Sequence, residues 1–193
     1  MKKFIFGIGT GRCGTTSLSH LLNGQFGANI THEMSGDILL PWEFNKKEYD
    51  RYIGSLCNRK GEFIGDVSFY LINYVPQIIK DFPESKILVL KRNKQETINS
   101  FIKKIGPLEH WVSNPRMFSA YDKCFPKFDF ESQKIKRISL YYDLYYSLLE
   151  QIDCDQIMLL NTNELNDEKK IKKVLKFCGF EEPKFSIKHL NRT

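Results

Sequence analysis

The 193-residue chain predicts an α/β fold, with a central and mostly parallel β-sheet flanked by helices. Three observations carry that expectation. Lys3 to Ile8 is a β-prone run that ends in glycines, and leucines at helical spacing follow it. Lys86 to Lys91 is a continuous apolar run (Ile-Leu-Val-Leu between two lysines), the pattern of a strand covered by helices on both faces. Runs of these two kinds alternate along the chain, which points to a doubly wound sheet with ligands at the carboxyl ends of its strands.

In order, Lys3 to Ile8 is the first strand, and Thr15 to Asn23, with Leu18, Leu21 and Leu22, the first helix. Ala28 to Thr31 follows as a strand, Lys46 to Cys57 as a helix, Phe63 to Asp66 as a strand end, and Tyr70 to Asp81 as a helix stopped near Pro83. After strand Lys86 to Lys91, the spacing gives a helix over Lys94 to Lys104. The aromatic-rich segment Gly106 to Phe130 lacks periodicity and reads as loops with short helical pieces. Ser132 to Ile152 forms a long helix whose buried stripe contains Ile135, Ile138, Leu140, Tyr141, Leu144, Tyr145, Leu148 and Leu149. Gln156 to Leu160 is the last strand, and a helix from about Asp167 to Cys178 ends at Gly179, suited to a left-handed C-cap.

A chain of this length with 41% hydrophobic residues is expected to form one domain over residues 1–193. The net charge of +6 favours anionic ligands without choosing among them. The densest basic run, 169–173, sits on an amphipathic helix where a solvated face explains it, and no DNA-reading motif is present. Five widely spaced cysteines without a Cys-x-x-Cys pair suggest neither disulfides nor zinc, and a reducing compartment fits them. The apolar run Phe4-Ile5-Phe6 is too short for a signal segment or a membrane span, so a soluble cytoplasmic protein is expected.

The strongest motif is Gly9-Thr10-Gly11-Arg12-Cys13-Gly14-Thr15-Thr16, written G-x-x-x-x-G-x-[ST] between a strand and a helix. Such a loop turns successive backbone N–H groups inward, and the following helix adds the positive end of its dipole. In nucleoside triphosphatases a Lys follows the last glycine and reaches the β- and γ-phosphates. Here Thr15 stands there, and Arg12 offers a cation from within the loop instead. A second anion site is expected where Lys91-Arg92-Asn93 ends a strand and the next helix presents Thr97 and Ser100, giving a guanidinium and a hydroxyl.

Together the two sites resemble the cofactor motifs of sulfotransferases. Phe6 to Leu18 resembles the 5′-phosphosulfate loop, and Ile87 to Arg92 through Ser100 resembles the 3′-phosphate motif. Gly65 to Leu71 looks like the family's segment before the 3′-phosphate strand, and Asn163-Glu164-Leu165 like its tyrosine-glutamate-aspartate-leucine element. The sequence departs from the pattern at Arg12, where cytosolic small-molecule members carry Lys, and at Lys91. The resemblance implies 3′-phosphoadenosine 5′-phosphosulfate as sulfuryl donor, adenosine 3′,5′-bisphosphate as product, a small-molecule or carbohydrate acceptor, and no metal. Gly11, Arg12, Cys13, Gly14, Thr15, Thr16, Ser17, Arg92 and Ser100 are then the expected cofactor contacts, with Arg12 also serving catalysis.

An acceptor hydroxyl or amine needs a general base, which family members carry near the end of the second strand. Thr31-His32-Glu33 lies there; Glu33 is the first choice and His32 the second. Asp66 either orients a substrate or loop or caps a helix. Trp111, Phe118, Tyr121, Phe125, Phe128 and Phe130 are candidates for an acceptor wall, although core packing accounts for most such aromatics. His110 reads as structural, and His189, Asn191 and Arg192 as a tail that closes over the nucleotide. The competing readings are a phosphate-loop kinase or nucleoside triphosphatase, disfavoured by the absent loop Lys, and a non-catalytic nucleotide-binding protein.

Overall fold

The computed structural model describes residues 2–36, 38–105 and 122–181. Five strands form one sheet: β1 (Lys3–Ile8), β2 (Ala28–His32), β3 (Phe63–Val67), β4 (Lys86–Lys91) and β5 (Ile157–Asn161). Their spatial order is β2, β3, β1, β4, β5, and every adjacent pair is parallel. Six helices accompany them among the described residues: α1 (Thr15–Asn23), α2 (Lys46–Cys57), α3 (Val75–Asp81), α4 (Lys94–Ile105), α5 (Lys134–Glu150) and α6 (Glu168–Phe177). The expected α/β architecture with a parallel sheet is the one observed.

The pleat sends alternate strand residues to opposite faces, and each face has its own helical cover. Phe6, Ile8, Ile64, Ile87 and Val89 pack with Tyr52 and Leu56 of α2, Ile78 of α3, Ile98 and Phe101 of α4, and Ile138, Tyr141 and Tyr145 of α5. Ile5, Phe63, Val67, Leu88 and Leu90 pack on the other face with Leu18 and Leu22 of α1 and with Ile171, Val174 and Leu175 of α6. Each fully buried Leu or Ile stabilises by roughly 1.5–3 kcal/mol, so losing either layer removes many such contributions. From β1 the chain crosses to β2 on one side of the sheet, whereas β4 and β5 lie on the other. The loops after β1 and β4 therefore open into one crevice at a topological switch point.

Three departures from the expected elements have local causes. Tyr70 to Asp81 is not one α-helix but a 3₁₀ segment, Phe69–Tyr74, followed by α3 with Pro76 in its first turn. Proline has no N–H to donate to residue 72, so an α-helix can start at Pro76 but cannot pass through it. The buried stripe of α5 is Ile138, Tyr141, Tyr142, Tyr145 and Tyr146, while Leu140 and Leu144 are only partly buried and Ile135 is exposed. The apolar pattern fitted two faces of this helix, and the tyrosine face is the one turned inward. β1 and β4 keep their expected limits, β2, β3, β5 and α6 shift by one residue at one or both ends, and Asp167 caps α6 by accepting from Lys169 and Lys170 N–H. At the other end, Gly179 at φ +85° donates to Lys176 and Phe180 N–H to Leu175, closing the Schellman motif that a glycine there suggested.

Residues 106–121 and 182–193 lie outside the described residues, and with them the expectations for His110, Trp111, Phe118, Tyr121, His189, Asn191 and Arg192. Of the remaining aromatics, Phe125 is buried and stacked on Phe69, Phe128 is partly buried, and Phe130 is exposed. No helix among the described residues is long and apolar enough to cross a membrane.

Candidate active site

The loop between β1 and α1 turns at Gly14, which stands at the N-cap of α1 with φ +96°. A side chain there would be strained, and its Cβ would sit 3.1 Å from Thr162 Cγ2. Glycine also brings no capping oxygen, so the first N–H groups of α1, from Thr15 to Ser17, begin the helix without an acceptor from their N-cap residue. An uncapped helix start with its dipole's positive end forward is an anion-seeking feature. Arg12 is likewise held in the left-handed region, at φ 57°, a conformation that costs a non-glycine residue of order 1–2 kcal/mol.

Cys13 points the other way. Its side chain is fully buried beside Leu18, and burial pushes the thiol up to about 11, so at this position only the backbone can meet a ligand in the crevice. Thr15 is buried as well, and its Oγ1 shares a hydrogen bond of 3.1 Å with His32 Nε2 at the end of β2. Thr162, just past β5, donates to the carbonyl of Cys13 at 2.6 Å. The segment Thr162–Asn166 is a 3₁₀ turn with a capping box between Asn161 and Glu164, and its Leu165 packs in the same apolar layer as Cys13.

The sites expected at Arg12 and at Arg92 with Ser100 are adjacent in the fold. Arg12 Nε donates to Ser100 Oγ at 3.2 Å, and Arg92 Nη1 donates to the backbone carbonyl of Arg12 at 3.2 Å. Arg92 Nε also meets Glu96 at 3.0 Å on the exposed side. Asn93 caps α4 by accepting from Glu96 N–H at 3.2 Å. Thr97 does not face the crevice with Ser100: it is fully buried and donates to the carbonyl of Asn93. Burial and then the nearby Arg92 both lower the Arg12 pKa, an electrostatic strain that a bound anion would relieve. Lys91 lies over the ring of Tyr146 at 4.9 Å.

Beyond β2 the backbone enters the left-handed region twice, at Glu33 (φ 53°) and Met34 (φ 45°). Non-glycine residues persist there only when their surroundings hold them. Asp66, at the end of β3 and fully buried, does so by accepting Met34 N–H at 2.9 Å. The same carboxylate accepts from the hydroxyls of Thr31, Tyr52, Ser68 and Tyr70, and Arg59 donates to Thr31 in turn. Asp66 is therefore neither a substrate-facing group nor a helix cap but the hub of a buried polar network.

That network sets the protonation of the two candidate bases. Burial, then the Asp66 charge, push the Glu33 carboxyl up to about 7, partly offset by Arg12. Burial lowers the pKa of His32 against the pull of Asp66, so the ring is neutral at neutral pH. Glu33 Oε1 and His32 Nε2 lie 3.8 Å apart, with about a quarter of each side chain exposed. Glu33, within electrostatic reach of Arg12, and His32, against Thr15, thus occupy different positions around one loop. Tyr52, Arg59 and Thr162 carry no local signature in the sequence, whereas helical spacing marks Tyr141 and Tyr145 as buried without showing that their hydroxyls meet the loop.

No family model and no curated protein matches the sequence. Among solved structures, a sulfotransferase from Alicyclobacillus acidocaldarius superposes with a TM-score of 0.61 at 16% identity, covering 100% of this chain and 87% of that one. A mouse sulfotransferase complexed with PAP gives 0.55 at 16% identity over 95% of this chain, which spans only 61% of the mouse protein. A sugar kinase from Janibacter gives 0.53 at 12% identity, covering 94% of this chain and 96% of that one. The chain has the sulfotransferase fold, a phosphate-loop α/β architecture shared with the sugar kinase.

Proposed function

We propose that the protein is a sulfotransferase that uses 3′-phosphoadenosine 5′-phosphosulfate. The observation that carries this reading is the crevice between β1 and β4, where an uncapped helix start, Arg12, Arg92 and Ser100 converge with no lysine after Gly14. These groups fit a ligand with phosphates at both ends of a nucleoside. The N–H groups from Gly14 to Ser17, with Gly11, Cys13 and Arg12, hold the 5′-phosphosulfate, while Arg92 and Ser100 hold the 3′-phosphate. When bound, the donor supplies the sulfuryl group that passes to an acceptor hydroxyl or amine. Arg12 and the helix start stabilise the charge left on the 5′-phosphate oxygen.

Glu33 is the general base. A carboxyl near pH 7 is half ionised under neutral conditions and basic enough to take the acceptor's proton. Neutral His32 holds Thr15 at the start of α1 and so orients the loop. The geometry around Thr15 argues against a kinase, since the position that would offer a γ-phosphate cation carries a buried threonine held by His32.

The test is donor turnover. Purified protein with the phosphosulfate donor and a panel of phenols, amines and saccharides is expected to release adenosine 3′,5′-bisphosphate in proportion to sulfated product. Glu33→Ala is expected to lose that turnover while still binding the bisphosphate. Turnover of ATP with magnesium, and none of the phosphosulfate donor, would reverse the reading in favour of a kinase.

A further inference from the structure

Helix α5 presents four buried tyrosines at positions i, i+1, i+4 and i+5, and their hydroxyls meet the backbone at the heads of β1 and β4. Tyr145 Oη accepts the N–H of Gly9 at 2.9 Å, and Tyr141 Oη donates to the carbonyl of Thr10 at 3.0 Å. Tyr146 Oη donates to the carbonyl of Leu90 at 2.7 Å, and Tyr142 Oη to that of Arg92 at 2.6 Å. Tyr141 and Tyr145 thus hold the first two residues of the phosphate loop, Tyr142 holds the end of β4 at Arg92, and Tyr146 joins the two, since its hydroxyl also bonds to Thr10. Lys91 and Lys94 lie over the Tyr146 and Tyr142 rings at 4.9 and 6.0 Å and fasten both rings from outside.

We infer that Tyr141, Tyr142, Tyr145 and Tyr146 are positioning residues that hold the two halves of the nucleotide site in register on one rigid helix. The inference rests on the nucleotide-binding reading of the loop and names the device that keeps that loop in shape. A packing role alone would be met by phenylalanine or leucine, which the apolar layer around α5 accepts without a polar atom to satisfy. The four hydroxyls instead fall on backbone groups at strand ends, where the sheet ladder stops and N–H and C=O groups need other partners. The Gly9 N–H and Thr10 carbonyl are tied back to α5, which fixes the path of the chain just before the N–H groups that face the crevice. Burial raises the pKa of all four phenols, so they remain protonated across the working range and the bracket does not titrate.

The bracket separates from mere folding by comparing affinity with stability. Each tyrosine is changed singly to phenylalanine, keeping the ring. Tyr74→Phe is the control, because that buried hydroxyl bonds to Pro41, Glu43 and Asn45, away from the loop. Melting temperature and Kd, by calorimetry well below the melt, are measured for adenosine 3′,5′-bisphosphate and for adenosine 5′-phosphosulfate. Tyr141→Phe and Tyr145→Phe are expected to weaken both ligands about tenfold, the consequence of one lost hydrogen bond that shaped the loop. Tyr142→Phe is expected to weaken the bisphosphate by a similar factor and the phosphosulfate little, whereas Tyr146→Phe, which also loses its bond to Thr10, is expected to weaken both. Tyr74→Phe is expected to lower the melting temperature with Kd unchanged.

If the α5 variants lose stability while every Kd stays within twofold of wild type, the tyrosines are packing residues and the inference is overturned. Should Tyr145→Phe fail to fold because Gly9 N–H is orphaned, Tyr141→Phe carries the test, since a carbonyl tolerates the loss of one partner better. A wild-type protein that binds ATP with magnesium and not the bisphosphate overturns the sulfotransferase reading; the same variants are then titrated with ATP, and the bracket predicts the loop-pair loss there too. A wild-type protein that binds neither nucleotide overturns both.

Discussion

Glu33→Gln is expected to raise stability at pH 8 while sharply reducing turnover. The carboxyl ionises near 4.5 in an unfolded chain and is pushed up to about 7 here, mainly by burial. Between those values the native state binds more protons than the unfolded state, so stability falls as pH rises from about 4.5 to about 7, and the loss persists above. A gap of roughly 2.5 pH units at about 1.4 kcal/mol each gives about 3.5 kcal/mol in full. With 23% of the side chain exposed, solvent screening reduces this to about 2 kcal/mol. Glutamine mimics the protonated acid and does not ionise. In a chain of this size about 2 kcal/mol corresponds to a melting temperature about 4–8 °C higher at pH 8, with little change at pH 5. Thermal melts by circular dichroism at the two pH values measure the difference. The same increment at both, or a lower melting temperature at pH 8, would refute the argument that Glu33 is a strained, burial-perturbed carboxyl. For turnover, the wild type is expected to gain rate as pH passes through about 7, and the variant to lose it by roughly 10²–10⁴-fold.

Arg92→Ala is expected to weaken adenosine 3′,5′-bisphosphate far more than adenosine 5′-phosphosulfate in calorimetric titrations, and equal losses would remove Arg92 from the 3′ side. Asp66→Ala leaves four hydroxyl donors and the Met34 N–H without their shared acceptor. Urea denaturation is expected to show a loss of about 3–5 kcal/mol. Gly14→Ala forces an alanine to φ +96° and presses its methyl on Thr162. That change is expected to cost about 1–2 kcal/mol in the same assay and to weaken both nucleotides.

The fold was legible because its signals are local. Glycines at 9, 11 and 14 after an apolar run, and a continuous Ile-Leu-Val-Leu strand, specify strand, loop and helix within a few residues of each other. The break between the 3₁₀ turn at Phe69–Tyr74 and α3 is equally local, because Pro76 can open a helix but not continue one. The long-range parts were hidden for a physical reason. Asp66 gathers partners from four elements, and Arg12 reaches Ser100 across 88 positions, neither of which leaves a periodic trace. On α5 the leucines and tyrosines mark faces of comparable hydrophobicity; the polar needs of the loop backbone, a tertiary demand, select the tyrosine face. Glu33 and His32 were found by position, but their protonation depends on burial that only packing creates.

The central claim is that the crevice between β1 and β4 holds a nucleotide phosphorylated at both its 5′ and 3′ ends. A thermal-shift titration of the full chain with adenosine 3′,5′-bisphosphate, set beside ATP with magnesium, measures it most directly, because a ligand that binds the native state raises the melting temperature by mass action. A saturable rise with the bisphosphate and little with ATP is expected. No rise with the bisphosphate, or a larger one with ATP and magnesium, would contradict it.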